Sequence, residues 1–434
     1  LVDGRARLNV PGLSLFVQEG KPMVPFKTAR ILLPPSGEIA EVEVVGLRLR
    51  EIAGRYELEL GRAPQPTRCQ EVAAASQGGP AFSQEKPYPG RLYEMGSVQT
   101  FRGYRIAILR LFPVQYVASA GTVSYYRELT VTLGLSSVPG DGAKRVGAST
   151  FRGYAGDEAR AAETVDNPEV LKAYPVAAGE LWRKAAAPQG KGERALAAKG
   201  GSCQYLIVTK ESYAESFEPL LSWKMQKGLT GRIAALEQIQ EEYEGRDVQE
   251  KIREFIAECY RNLETEYVLL GGDTEVVPYR GLYGEMGLYI DSGMPSDLYY
   301  GCLDGNWDYD GDGIFGEAED GEDGGEVDLV AEVYVGRAPV SSSRQAENFV
   351  AKTLQYEVNR SPHLSQALWV GQGLDSKTWG SDSKEELVVL LPESFEVTRL
   401  YQKTGTFSTG AVIAELNDSP HIVNRWFSGF RGWR

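Results

Sequence analysis

Apolar and polar residues alternate through residues 1–135. Val42 and Val44 are set off by Glu41 and Glu43, Leu47 and Leu49 by Arg48 and Arg50, and Val123, Tyr125, Leu129, Val131 and Leu133 stand among polar neighbours. A repeat of two is that of a strand with one face buried. Prolines and glycines such as Pro34, Pro35, Gly37, Gly54, Pro89, Gly90, Gly103 and Gly121 interrupt the pattern at turn-like intervals, and no long helical stripe intervenes. An antiparallel sandwich or barrel is expected.

Residues 139–201 shift to Gly, Ala, Lys, Arg and Ser with little apolar period, which reads as an exposed, flexible connector with at most one or two short helices. Arg183, Lys184, Lys191, Arg194 and Lys199 make its second half open to trypsin-like processing. From Cys203 the texture becomes strand and helix in alternation. Residues 203–209 and 267–271 are short apolar runs of the kind covered on both faces. Between them Val248, Ile252, Phe255, Ile256 and Cys259 share one helical face, with Asp247 and Glu250 spaced as a capping box. Further strands are expected at 333–335, 368–370, 395–400 and 422–423, and a helix at 344–357, so this part is a mostly parallel α/β sheet. Its chemistry should lie beyond the carboxyl ends of the strands. The division is therefore 1–138, 139–201 and 202–434.

At 434 residues, 42% hydrophobic and 24% charged, the chain is long and apolar enough for large cores. No apolar run approaches the ~20 residues of a membrane-spanning helix. Lys plus Arg number 46 against 60 Asp plus Glu, a net charge of −14 that argues against nucleic-acid or anionic-membrane binding. Residues 291–330 hold 13 of the acids and no Lys or Arg. The four cysteines, Cys69, Cys203, Cys259 and Cys302, form no C-x-x-C pair, so neither a zinc ribbon nor a dense disulfide framework is indicated. His363 and His421 are the only imidazoles, and both read as loop or strand-edge residues. The chain opens at Leu1 without a signal-like segment, as a fragment would.

Asp308, Asp310, Asp312, Gly313 and Glu319 fit D-x-[DN]-x-[DN]-G-x5-E. The three aspartates supply hard oxygens, Gly313 a sharp turn, Ile314 a carbonyl, and Glu319 a closing carboxylate. The alternative is an ion-free acidic loop, but so many carboxylates with no cation nearby in sequence repel one another, and a structural calcium is expected. Asp291-Ser292-Gly293 resembles the turn of an aspartic protease, yet no second copy exists to share a proton. H-E-x-x-H, Walker A, G-x-G-x-x-G and G-x-S-x-G sequences are all absent. Cys302 lies beside acids that disfavour its thiolate and is rejected as a nucleophile.

Gly272-Asp273, Val277-Pro278, Ser296-Asp297-Leu298-Tyr299-Tyr300-Gly301 and Glu332-Val333-Tyr334-Val335-Gly336-Arg337-Ala338-Pro339 together resemble the gingipain family of cysteine peptidases. The front half is similar to that family's propeptide at Gly20-Lys21-Pro22-Met23-Val24-Pro25, Tyr88-Pro89-Gly90, Arg102-Gly103-Tyr104-Arg105 and Phe112-Pro113-Val114-Gln115-Tyr116. The resemblance implies a secreted, extracellular or cell-surface zymogen acting on protein or peptide substrates, with bound calcium. Its fold would be α/β plus all-β, an antiparallel β-rich prodomain before a caspase-like, mostly parallel α/β domain that is incomplete at its C-terminus. Chemistry in the family is that of a Cys/His dyad. Here the family's Gly-His-Gly turn is replaced by Arg425-Trp426-Phe427-Ser428-Gly429, an ungapped match puts Ser428 where the His belongs, and no catalytic residue is assigned. The chain as it stands is expected to be inactive, either as part of a peptidase precursor or as a calcium-ordered, non-catalytic pseudo-peptidase or adhesion module. Asp297 is either the acid that receives a basic substrate side chain or a sheet-end residue capping a loop.

Overall fold

Strand pairing organises the N-terminal part of the protein, seen in a computed structural model whose described residues are 5–35, 37–61, 84–137, 150–174, 201–286, 289–321, 327–358, 365–373, 379–418 and 422–426. Among the described residues seven strands form there: β1 (Ser14–Phe16), β2 (Val24–Leu32), β3 (Gly37–Ile52), β4 (Tyr93–Phe101), β5 (Tyr104–Leu111), β6 (Val114–Val117) and β7 (Thr122–Ser137). They make two antiparallel sheets, ordered β1-β2-β5-β4 and β3-β7-β6. Val42, Val44, Leu129, Val131 and Leu133 lay one face of the β3–β7 ribbon on Ala29, Leu33, Ala107, Leu109 and Leu111. Leu47 and Leu49, which alternation alone would bury, are exposed.

The hairpin between β4 and β5 turns in two residues, Arg102 at φ 52° and Gly103 at φ 83°. Paired left-handed conformations match the twist of adjoining strands, at a cost for the non-glycine member. A Cβ on Gly103 would lie 2.4 Å from the Cα of Phe151, so glycine is required by contact as well as by φ.

Residues 150–174 depart from the expected exposed connector. Here α1 (Ala155–Thr164) and a 3-10 turn at Pro168–Ala173 place Phe151, Ala161, Val165, Leu171 and Tyr174 against Leu32, Tyr104 and Ile106. The Tyr174 hydroxyl donates to the Leu33 carbonyl at 2.6 Å, and Asp166 accepts from the Arg30 amide at 2.9 Å. A few spaced aromatic and aliphatic side chains suffice to bury this segment, each contributing about 1.5–3 kcal/mol. The expected processing residues from Arg183 to Lys199 lie outside the described residues.

A parallel sheet follows, with β8 (Tyr205–Thr209), α2 (Ala214–Gln226), β9 (Gly231–Ala235), α3 (Leu236–Glu242), α4 (Val248–Leu263) and β10 (Tyr267–Gly271). Next come an antiparallel hairpin of β11 (Arg280–Met286) and β12 (Tyr289–Ser296), the short α5 (Leu298–Gly301), β13 (Tyr334–Ala338) and α6 (Ser343–Val358). Strand order is β13-β10-β8-β9, all parallel. Leu206, Val208, Val268 and Leu270 pack with Ile252, Phe255, Ile256 and Cys259 of α4, the helical face expected from its spacing. The capping box is present in modified form: Asp247 accepts from the Glu250 amide at 2.9 Å, while Glu250 reaches back to the Arg246 amide rather than to that of Asp247.

Among the described residues, chain packing separates those up to residue 351 from those of 352–434. The second unit holds β14 (Gln366–Gly371), α7 (Gly380–Val388), β15 (Glu396–Tyr401), α8 (Thr409–Asn417) and β16 (Ile422–Trp426), its strands parallel in the order β15-β14-β16. Within it Lys384 is buried and donates to Asn424 at 2.5 Å, and burial drives the ammonium below its ordinary range. Among the described residues no helix is long and apolar enough to cross a membrane. The architecture is antiparallel β followed by parallel α/β, as the residue pattern implies. Gly103→Ala should cost about 2–4 kcal/mol, read as a lowered denaturation midpoint, because both its φ and its contact with Phe151 forbid a Cβ; an unchanged midpoint would contradict the packing described.

Candidate functional site

Three carboxylates of the acidic loop converge. One oxygen each from Asp308, Asp310 and Asp312 lies within 4.8 Å of the others, Asp308 buried and the other two exposed. The loop is shaped by its own side chains: Asp308 accepts from the Gly313 amide at 3.1 Å, Asp310 from Asp312 at 3.1 Å, and Asp312 from Ile314 at 2.7 Å. Gly311 and Gly313 both take positive φ, as the turn requires. Glu319, expected to close the ring, is exposed and is not one of the three converging carboxylates; its neighbour Asp320 is buried and accepts from the Tyr309 amide at 3.2 Å.

The expectation that no cation lies near this loop needs correcting. Arg246, from the turn before α4, donates to Asp308 and rests 5.1 Å from the Phe315 ring centroid. Burial opposes ionisation of Asp308, but the Arg246 bond and the Gly313 amide outweigh it and hold the carboxyl below its usual range. Repulsion within the loop is thus partly relieved by the protein itself. The oxygens of Asp310 and Asp312 that face solvent still offer a hard, anionic donor set.

Asp297 sits at the end of β12, its carboxylate gripped by Arg337 of β13 through two bonds of 2.7 and 2.6 Å. The same guanidinium donates to the carbonyls of Gly272, at 2.9 Å, and Val277, at 2.6 Å. Arg337 therefore ties the carboxyl end of β10 to α5, and a planar fork is the side chain suited to this. A positive group approaching Asp297 meets a carboxylate already engaged.

Cys203, Cys259 and Cys302 are all buried and reduced. Burial pushes each thiol up, and for Cys302 the carboxylates of Glu332 and Asp328 add to it. A nucleophilic cysteine requires the opposite environment. Cys69, His363, His421 and Ser428 lie outside the described residues.

A further cluster, not visible as a sequence motif, lies where the β4–β5 hairpin meets the parallel-sheet region of the first unit. Gln99 donates to the Val327 carbonyl at 3.3 Å and accepts from the Leu329 amide at 2.7 Å. The Thr100 amide donates to Asp328 at 2.5 Å and the Arg102 amide to Glu332 at 3.2 Å. Beside them Asp157 accepts from Arg102 at 2.5 Å and from Arg152 at 2.9 and 2.8 Å, all three side chains being buried. Arg152 continues to the carbonyls of Tyr260 and Thr265, and Arg102 to Glu266. Partners 228–230 residues apart leave no local pattern; only the placement of Arg102-Gly103 in a turn was available as a signal.

Residues 198–432 match the model of peptidase family C25 and residues 6–155 match that of its propeptide, so the chain belongs to peptidase family C25. Gingipain R2 of Porphyromonas gingivalis is 22% identical over 362 residues, covering 82% of this chain and 40% of that protein. Lys-gingipain of the same organism is 22% identical over 384 residues, covering 86% of this chain and 19% of that protein. The chain thus spans two fifths or less of the length of these two relatives. The solved complex of P. gingivalis RgpB pro- and mature domains aligns at 21% identity and a TM-score of 0.38, over 51% of this chain and 47% of that one. Arg-specific gingipain R aligns at 20% and 0.38, over 53% and 48%.

Replacing Arg337 by Ala strands a carboxylate and at least two partly buried carbonyls, which should lower stability by roughly 2–4 kcal/mol. Arg337→Lys should recover less than half, since an ammonium lacks the fork. Equal melting curves for the parent and Arg337→Ala would show that the clamp holds nothing.

Proposed function

We propose that this chain is a precursor or fragment of a secreted C25 cysteine endopeptidase, its N-terminal β region serving as propeptide and its α/β region as part of the frame for peptide-bond hydrolysis. The observation that carries the reading is the succession, in one chain, of a propeptide match at 6–155 and a peptidase match at 198–432. In such chemistry a His takes the thiol proton, the thiolate attacks the scissile carbonyl, and backbone N–H groups hold the oxyanion. In this reading the 434 residues carry no working dyad. Supporting that are the three buried thiols, which burial keeps protonated, and the resemblance to the family, in which an ungapped match puts Ser428 where the His belongs. Asp297 is the acid the reading assigns to a basic substrate side chain, which would have to compete with Arg337 for it.

Peptide substrates carrying Arg or Lys before the scissile bond should therefore show no turnover above blank. Turnover that thiol alkylation abolishes would overturn the inactive assignment.

We propose further that Asp308, Asp310 and Asp312, with the Ile314 carbonyl and Glu319, hold a structural calcium ion that orders residues 308–319. Three converging carboxylate oxygens and the positive-φ Gly313 fit such an ion, which would supply charge neutralisation and no catalytic step. Removing calcium with EDTA should then lower the melting temperature, by the equivalent of roughly 3 kcal/mol if the ion had been present at a hundred times its Kd. Calcium should restore it, and Asp310→Asn with Asp312→Asn should remove the difference. A melting curve indifferent to EDTA would discard the ion.

A further inference from the structure

Asp304, Asp328 and Glu332 converge beneath the β4–β5 hairpin, and neither the proposed calcium site nor the proposed substrate acid Asp297 uses any of them. All three are buried, exposed by 4%, 3% and 0%. Among the described residues none is paired with Lys or Arg. Asp328 accepts from the amides of Thr100 and Val330, and Glu332 from those of Arg102 and Leu303 at 3.2 and 2.8 Å. Asp304 accepts from the Thr150 hydroxyl at 2.5 Å through one oxygen, while its other oxygen, Oδ1, is buried with no hydrogen-bond partner. Thr100, Arg102 and Thr150 all come from the N-terminal side, so each of the three carboxyls takes one of its hydrogen bonds from that side.

We propose that these three carboxyls form a proton-operated latch: the N-terminal domain docks while they carry protons and is released as they ionise. The inference rests on reading that domain as a propeptide that leaves on maturation. Burying ionised carboxylates together without a cation is costly, whereas the protonated forms are neutral and can share hydrogen bonds. Other charged and titratable groups around the patch do not supply the missing cation. Arg102 turns its guanidinium to Asp157 and Glu266, and Arg152 is committed to Asp157. Arg253 of α4 spends its hydrogen bonds on the carbonyls of Cys302 and Asp304, so its charge opposes the effect only in part. Tyr260 and Cys302 are kept neutral by burial.

Burial, with mutual repulsion added, pushes Asp304 up to about 7 and Glu332 well up, and burial likewise pushes Asp328 up to about 6. Opened to water, carboxyls return to about 4. The docked state thus binds more protons than the separated state. Its stabilisation is complete below about pH 4 and is lost as pH rises through the docked values, so docking weakens toward alkaline pH.

The test uses the full chain, folded and then cut once at an engineered site within residues 175–200. Association of the two pieces should be at least about tenfold weaker at pH 8.5 than at pH 5.5. Asp304→Asn combined with Glu332→Gln, which mimic the protonated forms, should hold the pieces together at pH 8.5. In the parent, calorimetry in two buffers of different ionisation enthalpy should find proton uptake on association at pH 6.5, a result that needs no variant to fold. Equal association at both pH values, or no proton uptake, overturns the latch and leaves the propeptide reading standing. Pieces that part only on global unfolding overturn both.

Discussion

Two guanidinium groups buried around one carboxylate hold the N-terminal and α/β regions of the first unit together. Arg102 and Arg152 are almost wholly removed from water, and Asp157 lies between them. A charge taken out of water costs several kcal/mol unless its partners are close and well aligned. Asp157 meets that condition for both arginines, Glu266 shares the excess positive charge, and the carbonyls of Tyr260 and Thr265 complete the donors of Arg152. Arg152 also lies 3.9 Å from the Tyr260 ring centroid, within cation–π range. Since Arg102 belongs to the hairpin turn and Arg152 and Asp157 to the segment packed on it, the β region presents this charge as one preformed plug.

From that plug the rest of the contact follows. Arg102 adopts its left-handed backbone, which aims its amide at Glu332 and leaves Thr100 facing Asp328. The carboxyls so covered are stable there as neutral groups, which makes the contact answer to pH. Under the proposed latch, charge-neutral carboxyls that become anions would let one set of atoms first hold the β region and then release it.

Legibility in the sequence divided along range. Elements with a local period were readable: residues 267–271 are the strand expected, α4 carries the expected face, and β14 to β16 lie over the apolar runs assigned to strands. The convergence of the acids Asp308, Asp310 and Asp312 was readable because all three sit within five residues. Contacts closed by tertiary structure were not. Arg246 is 62 residues from Asp308, and the residues that meet Gln99, Thr100 and Arg102 are 228–230 away. Residues 150–174 misled because their few apolar side chains are spaced too widely for a period, yet Phe151, Leu171 and Tyr174 are buried. The hairpin β11–β12 was hidden by the aspartic-protease-like triplet Asp291-Ser292-Gly293, which here is an exposed stretch of β12 where the register against β11 shifts and the Gly293 amide donates to Asp291.

The account turns on Asp157 as the group that makes docking of the β region possible, and amide hydrogen exchange of the Asp157→Ala protein measures this most directly. Thr100 and Arg102 amides should exchange at least about a hundredfold faster than in the parent, the equivalent of losing roughly 3 kcal/mol, while those of Val268 and Leu270 in β10 keep their protection. Unchanged protection of Thr100 and Arg102 in a folded Asp157→Ala protein would contradict it.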